Sequence, residues 1–321
     1  MTSNLRGALA GLLAFGIFAT HDVIVKYLGG TYAPFQIVFF SVLFGFPIVS
    51  FLLLRDAKEA NLRPNHPWWI AARTAASVIT GFCAFYAFTV LPLAQTYAIL
   101  FAAPLLITVL AIPMLGETVG WRRGLAVVVG LCGVLFVLQP GRTDLSLGHA
   151  AALTAAFSGA LASLIVRKVG RAERSVVMLL YPMVANFIVM GLAMPFVYVP
   201  MPGQDLGALA VVAAMALAGS ALLIVAYRTA PAIMVAPMQY SQILWATVYG
   251  VLLFDEGLEM PTIIGSTIII ASGIYIVLRE DRGGRSSTTP VLRTRTRVGT
   301  PSGLRIAPFL SSDRRGPKPP G

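Results

Sequence analysis

The feature that most constrains this chain is a succession of apolar runs, each about as long as a bilayer is thick. A helix needs roughly 20 apolar residues to cross the hydrocarbon core. Ten such runs follow one another, at about residues 5–28, 34–54, 68–90, 93–115, 121–139, 147–166, 174–199, 205–228, 231–253 and 260–278. Charged residues make up 12% of the 321, against about 25% in a soluble domain. That balance excludes an ordinary soluble protein, a disordered chain and a secreted disulfide scaffold. The expected fold is an all-α integral membrane protein with ten transmembrane helices. Arg6 followed by the run Gly7–Ala19 has the look of a signal peptide, but the run continues to Leu28 and is read as the first helix.

The Lys and Arg distribution orients the helices. With the N-terminus in the cytoplasm, the inside connections hold Arg55, Lys58, Arg63, Arg122, Arg123, Arg167, Lys168, Arg171, Arg174 and Arg228. Arg6 and Arg73 fall on the same side, and only Lys26 and Arg142 fall outside. The expected topology is therefore N-in/C-in, and the net charge of +11 is a topology signal rather than a nucleic-acid one. Residues 281–321, rich in Arg, Ser, Thr, Pro and Gly, are expected to form a disordered basic cytoplasmic tail near anionic lipid. Cys83 and Cys132 both lie in apolar runs and offer neither a disulfide framework nor metal-ligand spacing.

Ten helices with both ends inside divide into two units of five, and an odd unit must be inverted in the membrane. The expected units are residues 1–140 and 141–280. An offset of 139 places Pro92 on Pro231, Leu105 on Leu244, Thr108 on Thr247, Val109 on Val248 and Glu117 on Glu256, with Phe101 on Tyr240. The stretch LPLAQTYAILFAAPLLITVLAIPMLGE, Leu91 to Glu117, resembles the signature region of EamA-type carriers of the drug/metabolite transporter superfamily. GLAVVVGLCGVLFVLQP resembles that family's fifth helix, and APAIMVAPMQYSQILWATVYGVLLFDE repeats the pattern in the second half. The resemblance covers roughly residues 5–280. It implies two inverted five-helix repeats rocking about a substrate site near the midplane. HDVIVKYLG in the first helix and the Arg73–Tyr86 stretch are similar to the S-adenosylmethionine-uptake and riboflavin-uptake branches. Ser41 stands where many relatives carry an arginine, so no role for that arginine is carried over.

Ionisable residues inside a membrane are costly and point to function. The first helix holds His21, Asp22 and Lys26 in its outer half. Asp22 and Lys26, four apart, share a face and can pair. Asp22 is the leading candidate for proton coupling, with His21 second because imidazole titrates near neutrality. The alternative is an outer-interface ion pair with Lys26 snorkelling to the headgroups. Arg73, opening the third helix, faces either an anionic substrate group or lipid phosphates. Tyr86, Gln95, Tyr97, Tyr240, Gln242 and Trp245 combine flat apolar faces with hydrogen-bonding ends, which suits a polar or aromatic ligand. Interhelical hydrogen bonding is the alternative for these. Glu117 and Glu256 are expected at the N-terminal ends of the helices that follow them, where a carboxylate favours the dipole.

The chain has no phosphate-binding glycine loop, no His-Glu-x-x-His and no paired CxxC, so no cofactor, metal or enzymatic activity is expected. The expected function is secondary active transport, by alternating access across the inner membrane, of a small polar or aromatic metabolite. Candidates are an amino acid, an S-adenosylmethionine-like compound or a vitamin such as riboflavin. An exporter of amino acids or toxic amphiphiles is the alternative, and a non-transporting scaffold fits less well. The expected partners are that substrate and the lipid bilayer, with proton or exchange coupling, room for a homodimer, and no nucleic acid.

Overall fold

The computed structural model describes residues 3–55, 63–116, 119–140, 145–170, 172–230, 232–257 and 259–282. Residues 283–321 of the expected tail, with Lys58, Glu117, Arg142, Arg171 and Pro231, lie outside the described residues, and the expectation of disorder from 281 is corrected at Asp281 and Arg282, which close the last helix. The chain forms α1 (Ser3–Gly29), α2 (Pro34–Arg55), α3 (Pro67–Val90), α4 (Leu93–Leu100), α5 (Ala103–Leu115), α6 (Trp121–Leu138), α7 (Leu147–Val169), α8 (Ser175–Val197) and α9 (Gly203–Thr229). Then come α10 (Ala232–Val235), a 3-10 turn over Ala236–Tyr240, α11 (Ser241–Phe254) and α12 (Met260–Arg282). Among the described residues, eight helices are long and apolar enough to span a bilayer, counting Leu93–Leu115 as one, and Pro34–Pro47 is a shorter apolar helix.

The fourth and ninth expected helices are broken, and proline explains both breaks. Pro104 has no N–H to donate, and its ring crowds the carbonyl four residues back. The chain accordingly turns at Phe101–Ala102 and restarts as α5. Pro237 opens the 3-10 turn that separates α10 from α11. The two breaks meet: the Phe101 and Tyr240 rings stand edge to face with centroids 5.1 Å apart.

Packing follows a two-fold pattern. α1 lies along α9 and α3 along α7, while α6 pairs with α12, α2 with α8, and α4 with α11. Exchanging the first five spans with the second five maps this set of pairs onto itself. Leu13, Leu125, Leu192, Leu244 and Leu252 point outward, while His21, Asp22, Gln36, Arg73, Asn186 and Gln242 are buried. A protein whose solvent is lipid has this distribution.

Polar ties fasten the loop ends. Gln36 clamps the Val199 backbone, donating to its carbonyl at 2.7 Å and accepting its N–H at 2.9 Å. Tyr32, between α1 and α2, donates to Asp205 at 2.5 Å. That hydrogen bond, with burial, pushes the phenol up to about 12. At the opposite end His66 donates its N–H to Glu173 at 2.5 Å, and Asn65 donates to the Ala172 carbonyl at 2.5 Å.

Candidate functional site

Asp22 sits seven residues before the end of α1, with only 3% of its surface exposed. Burying a carboxylate at such a depth costs about 2.5–3.5 kcal/mol on insertion scales unless partners supply hydrogen bonds. Here both oxygens are engaged. Oδ1 lies 2.6 Å from His21 Nδ1, and Oδ2 accepts the Tyr97 hydroxyl. The Tyr97 oxygen in turn accepts from Gln242 Nε2 at 3.2 Å. α1 supplies the acid and the imidazole, α4 the phenol and α11 the amide, so the cluster joins the two halves. Apolar rings seal it: Phe85 stands edge-on to His21, and Phe88 edge-on to Tyr97. A carboxyl hydrogen-bonded to an imidazole and a phenol has two proton-bearing groups within reach.

The expected pairing of Asp22 with Lys26 is replaced by another. Lys26 Nζ lies 2.8 Å from Glu256 Oε1, with the two side chains 12% and 14% exposed. It also donates to the Leu91 carbonyl at 2.6 Å. The helical spacing permitted Asp22, but a carboxylate from the second half reaches the ammonium instead. The expectation for Glu256 is corrected with it. Its other oxygen accepts the Leu93 N–H at 2.8 Å, so it caps α4 and not the helix that follows it in sequence. Asp255, in the left-handed region at φ 51, is the turn that allows this.

The remaining predicted residues divide between this cluster and other places. Trp245 lies over Gly16 of α1 and stacks on Tyr249, whose hydroxyl is 2.9 Å from Thr20 Oγ1. Tyr240 is buried against Phe101 and Gly273 at the crossing of the two broken helices. Gln95 sits 3.2 Å from His149 Nε2 and ties α4 to the start of α7, away from Asp22. Tyr86 stacks on Phe82 of its own helix. Arg73 is far from the cluster along α3, yet only 3% exposed, which removes the lipid-snorkelling alternative. Glu256, Thr20 and Tyr249 were missed. Among the described residues no group of three or more His, Cys, Asp or Glu could hold a metal ion.

The comparisons with known proteins also divide the chain in two. A family model described as EamA-like transporter family matches twice, over residues 5–139 and 146–279. An S-adenosylmethionine uptake transporter of Rickettsia prowazekii is 26% identical over 293 residues, covering 88% of this chain and 96% of that one. A pseudopaline exporter of Pseudomonas aeruginosa is 25% identical over 272 residues, covering 84% and 95%. A solved crystal structure shares the fold with TM-score 0.58 at 16% identity, covering 88% of this chain and 98% of that one. The double family match, each copy spanning one set of five expected helices, leads to one conclusion: this chain is a multi-pass membrane protein belonging to the EamA-like transporter family.

Proposed function

We propose that the chain is a secondary carrier of a small zwitterionic or aromatic metabolite, S-adenosylmethionine-like in character, working by alternating access across the inner membrane. On this reading it has ten spans, N-in/C-in, as two inverted repeats of residues 1–140 and 141–280, with residues 281–321 as a cytoplasmic tail. The observation that carries the proposal is Asp22: a buried carboxylate held by His21 and Tyr97, with Gln242 behind, where the two halves meet. Rocking of the halves separates α11 from α1 and α4, breaks the Gln242 contact, and lets the carboxyl change its proton and meet a cationic substrate group. Trp245 and Tyr249, beside this point on α11, offer stacking faces for an aromatic ring.

The test is counterflow in proteoliposomes loaded with amino acids, S-adenosylmethionine, riboflavin and nucleosides. Transient accumulation of one labelled compound is the expected result. Asp22→Asn should keep exchange but lose uptake driven by a pH gradient. Undiminished gradient-driven uptake in that variant removes Asp22 from coupling. A second reading, export, is supported by the similarity to the Pseudomonas exporter. Reversing the gradient across the same vesicles separates the two.

A further inference from the structure

α3 carries a second polar feature that the Asp22 cluster does not use. Arg73 is 3% exposed inside a helix long and apolar enough to cross a membrane. Its Nη1 donates to the Met178 carbonyl of α8. Its Nε has no partner, and among the described residues no carboxylate pairs with the guanidinium. One turn on, the Ser77 hydroxyl is 4% exposed and also without a partner. A buried cation in the membrane pairs with another ionisable group or with backbone carbonyls. A carbonyl dipole and water satisfy hydrogen bonds but leave the charge uncompensated.

Helix packing does not require these groups. The equivalent of this α3–α8 contact in the other half is α9 on α2, where Leu209 and Val212 of α9 are buried in one apolar cluster with Val38 and Val42 of α2. Apolar residues suffice there. The polar atoms of α3 therefore serve something other than packing.

We propose that Arg73 and Ser77 form a binding site for a carboxylate, and that the carried metabolite bears one. With Nη1 committed to Met178, the guanidinium keeps its Nε edge free, the side that meets the two in-plane oxygens of a carboxylate with parallel hydrogen bonds. One cation and one hydroxyl match a monoanion. Ile70 of α3, Ile165 of α7 and Val177 of α8 pack together in an apolar cluster that includes Met178. Arg73 lies twelve residues from Phe85, the ring against His21, which is about 18 Å along the helix. The site is thus a separate stage from Asp22. This proposal rests on the carrier reading.

The test uses the full chain in proteoliposomes with labelled S-adenosylmethionine in counterflow. Unlabelled S-adenosylmethionine or its decarboxylated analogue is the competitor. Thermal melting of the purified protein with the same compounds reads binding without transport. The wild type should prefer the carboxylate-bearing competitor at least tenfold. Arg73→Gln should erase that preference while leaving the decarboxylated compound's competition unchanged. Arg73→Lys, which keeps charge but not the planar fork, should fall between. Without ligand, Arg73→Gln should melt higher than wild type, because it removes an uncompensated charge; a purely structural arginine would give a lower melting point. Equal competition in the wild type, or equal loss for both compounds in Arg73→Gln, overturns the carboxylate site while the carrier stands. Arg73-dependent melting shifts without counterflow of any compound keep the site and overturn the carrier. Neither shift nor counterflow overturns both.

Discussion

Replacing Glu256 by Gln removes one charge from the Lys26–Glu256 pair and changes little else. The two groups are 2.8 Å apart. With an effective dielectric of 20, the gross attraction at that distance is about 6 kcal/mol. Desolvating both groups offsets much of this, so the net value of the pair is far smaller. Removing one partner of a fully buried pair costs about 3–5 kcal/mol. Here the side chains keep 12% and 14% of their exposure, and Lys26 retains the Leu91 carbonyl and the Phe254 ring, 5.4 Å from its nitrogen. Those residual contacts reduce the expected cost to about 2–3 kcal/mol. Gln keeps an oxygen for the Leu93 N–H, so the cap of α4 survives and the charge is isolated.

The assay is thermal unfolding in detergent of Glu256→Gln, Lys26→Met and the double variant. Each single change should lower the midpoint by about 4–6 °C, taking roughly 2 °C per kcal/mol for a chain of this size. The double variant should lose less than the two singles together, leaving a coupling of at least about 1 kcal/mol. A coupling below about 0.5 kcal/mol, the value of an exposed pair, refutes the reasoning.

A Cβ at Gly273 would lie 1.7 Å from the Tyr240 hydroxyl oxygen, so Gly273→Ala should destabilise by about 3 kcal/mol, and Tyr240→Phe in the same chain should recover part of it in the same melting assay. Ser146 caps α7 in a reciprocal box with His149, and Ser146→Ala should cost about 1 kcal/mol of stability by the same measurement. The Tyr32 phenol is raised, so its neutral form is the stabilised one. Its contribution is complete below pH 10 and should be lost as pH rises toward about 12. The tyrosinate absorbance that Tyr32→Phe removes should titrate there, and Asp205→Asn should bring it down.

The spans were legible because lipid imposes a length and a polarity that survive in a single sequence. The breaks in the fourth and ninth helices were not foreseen, although Pro104 and Pro237 mark them. A proline within an apolar run either kinks a helix or ends it, and only tertiary packing decides which. Asp22, His21, Tyr97 and Gln242 were legible as polar atoms in apolar surroundings, and the structure joins them. Lys26 was assigned the wrong carboxylate because helix periodicity sees neighbours four residues apart. Glu256 reaches it from 230 residues away through a left-handed Asp255 that no periodicity reveals. Gln95 and Tyr86 show the opposite failure: polarity marked them, but Gln95 ties α4 to α7 through His149 and Tyr86 stacks on Phe82 of its own helix.

The repeat offset explains why the Asp22 cluster lies where it does. Phe101 and Tyr240, 139 positions apart and matched in sequence, touch each other. A residue meets its own counterpart only on the axis relating the two halves. Tyr97, one turn before Phe101, and Gln242, two residues after Tyr240, therefore lie beside that axis, and they are the residues that bond across it. Off the axis, equivalent positions have equivalent but separate surroundings, and there the halves diverge. Lys26 closes one end with Glu256. Lys168 of α7 donates to the Met114 carbonyl and lies 4.4 Å from the centre of the Trp69 ring. Arg73 similarly stands in the α3–α8 contact, donating to the Met178 carbonyl, while the sister contact, α9 on α2, buries Leu209, Val212, Val38 and Val42. Symmetry places the axis and the helix pairs, while the departures from it mark where chemistry was added.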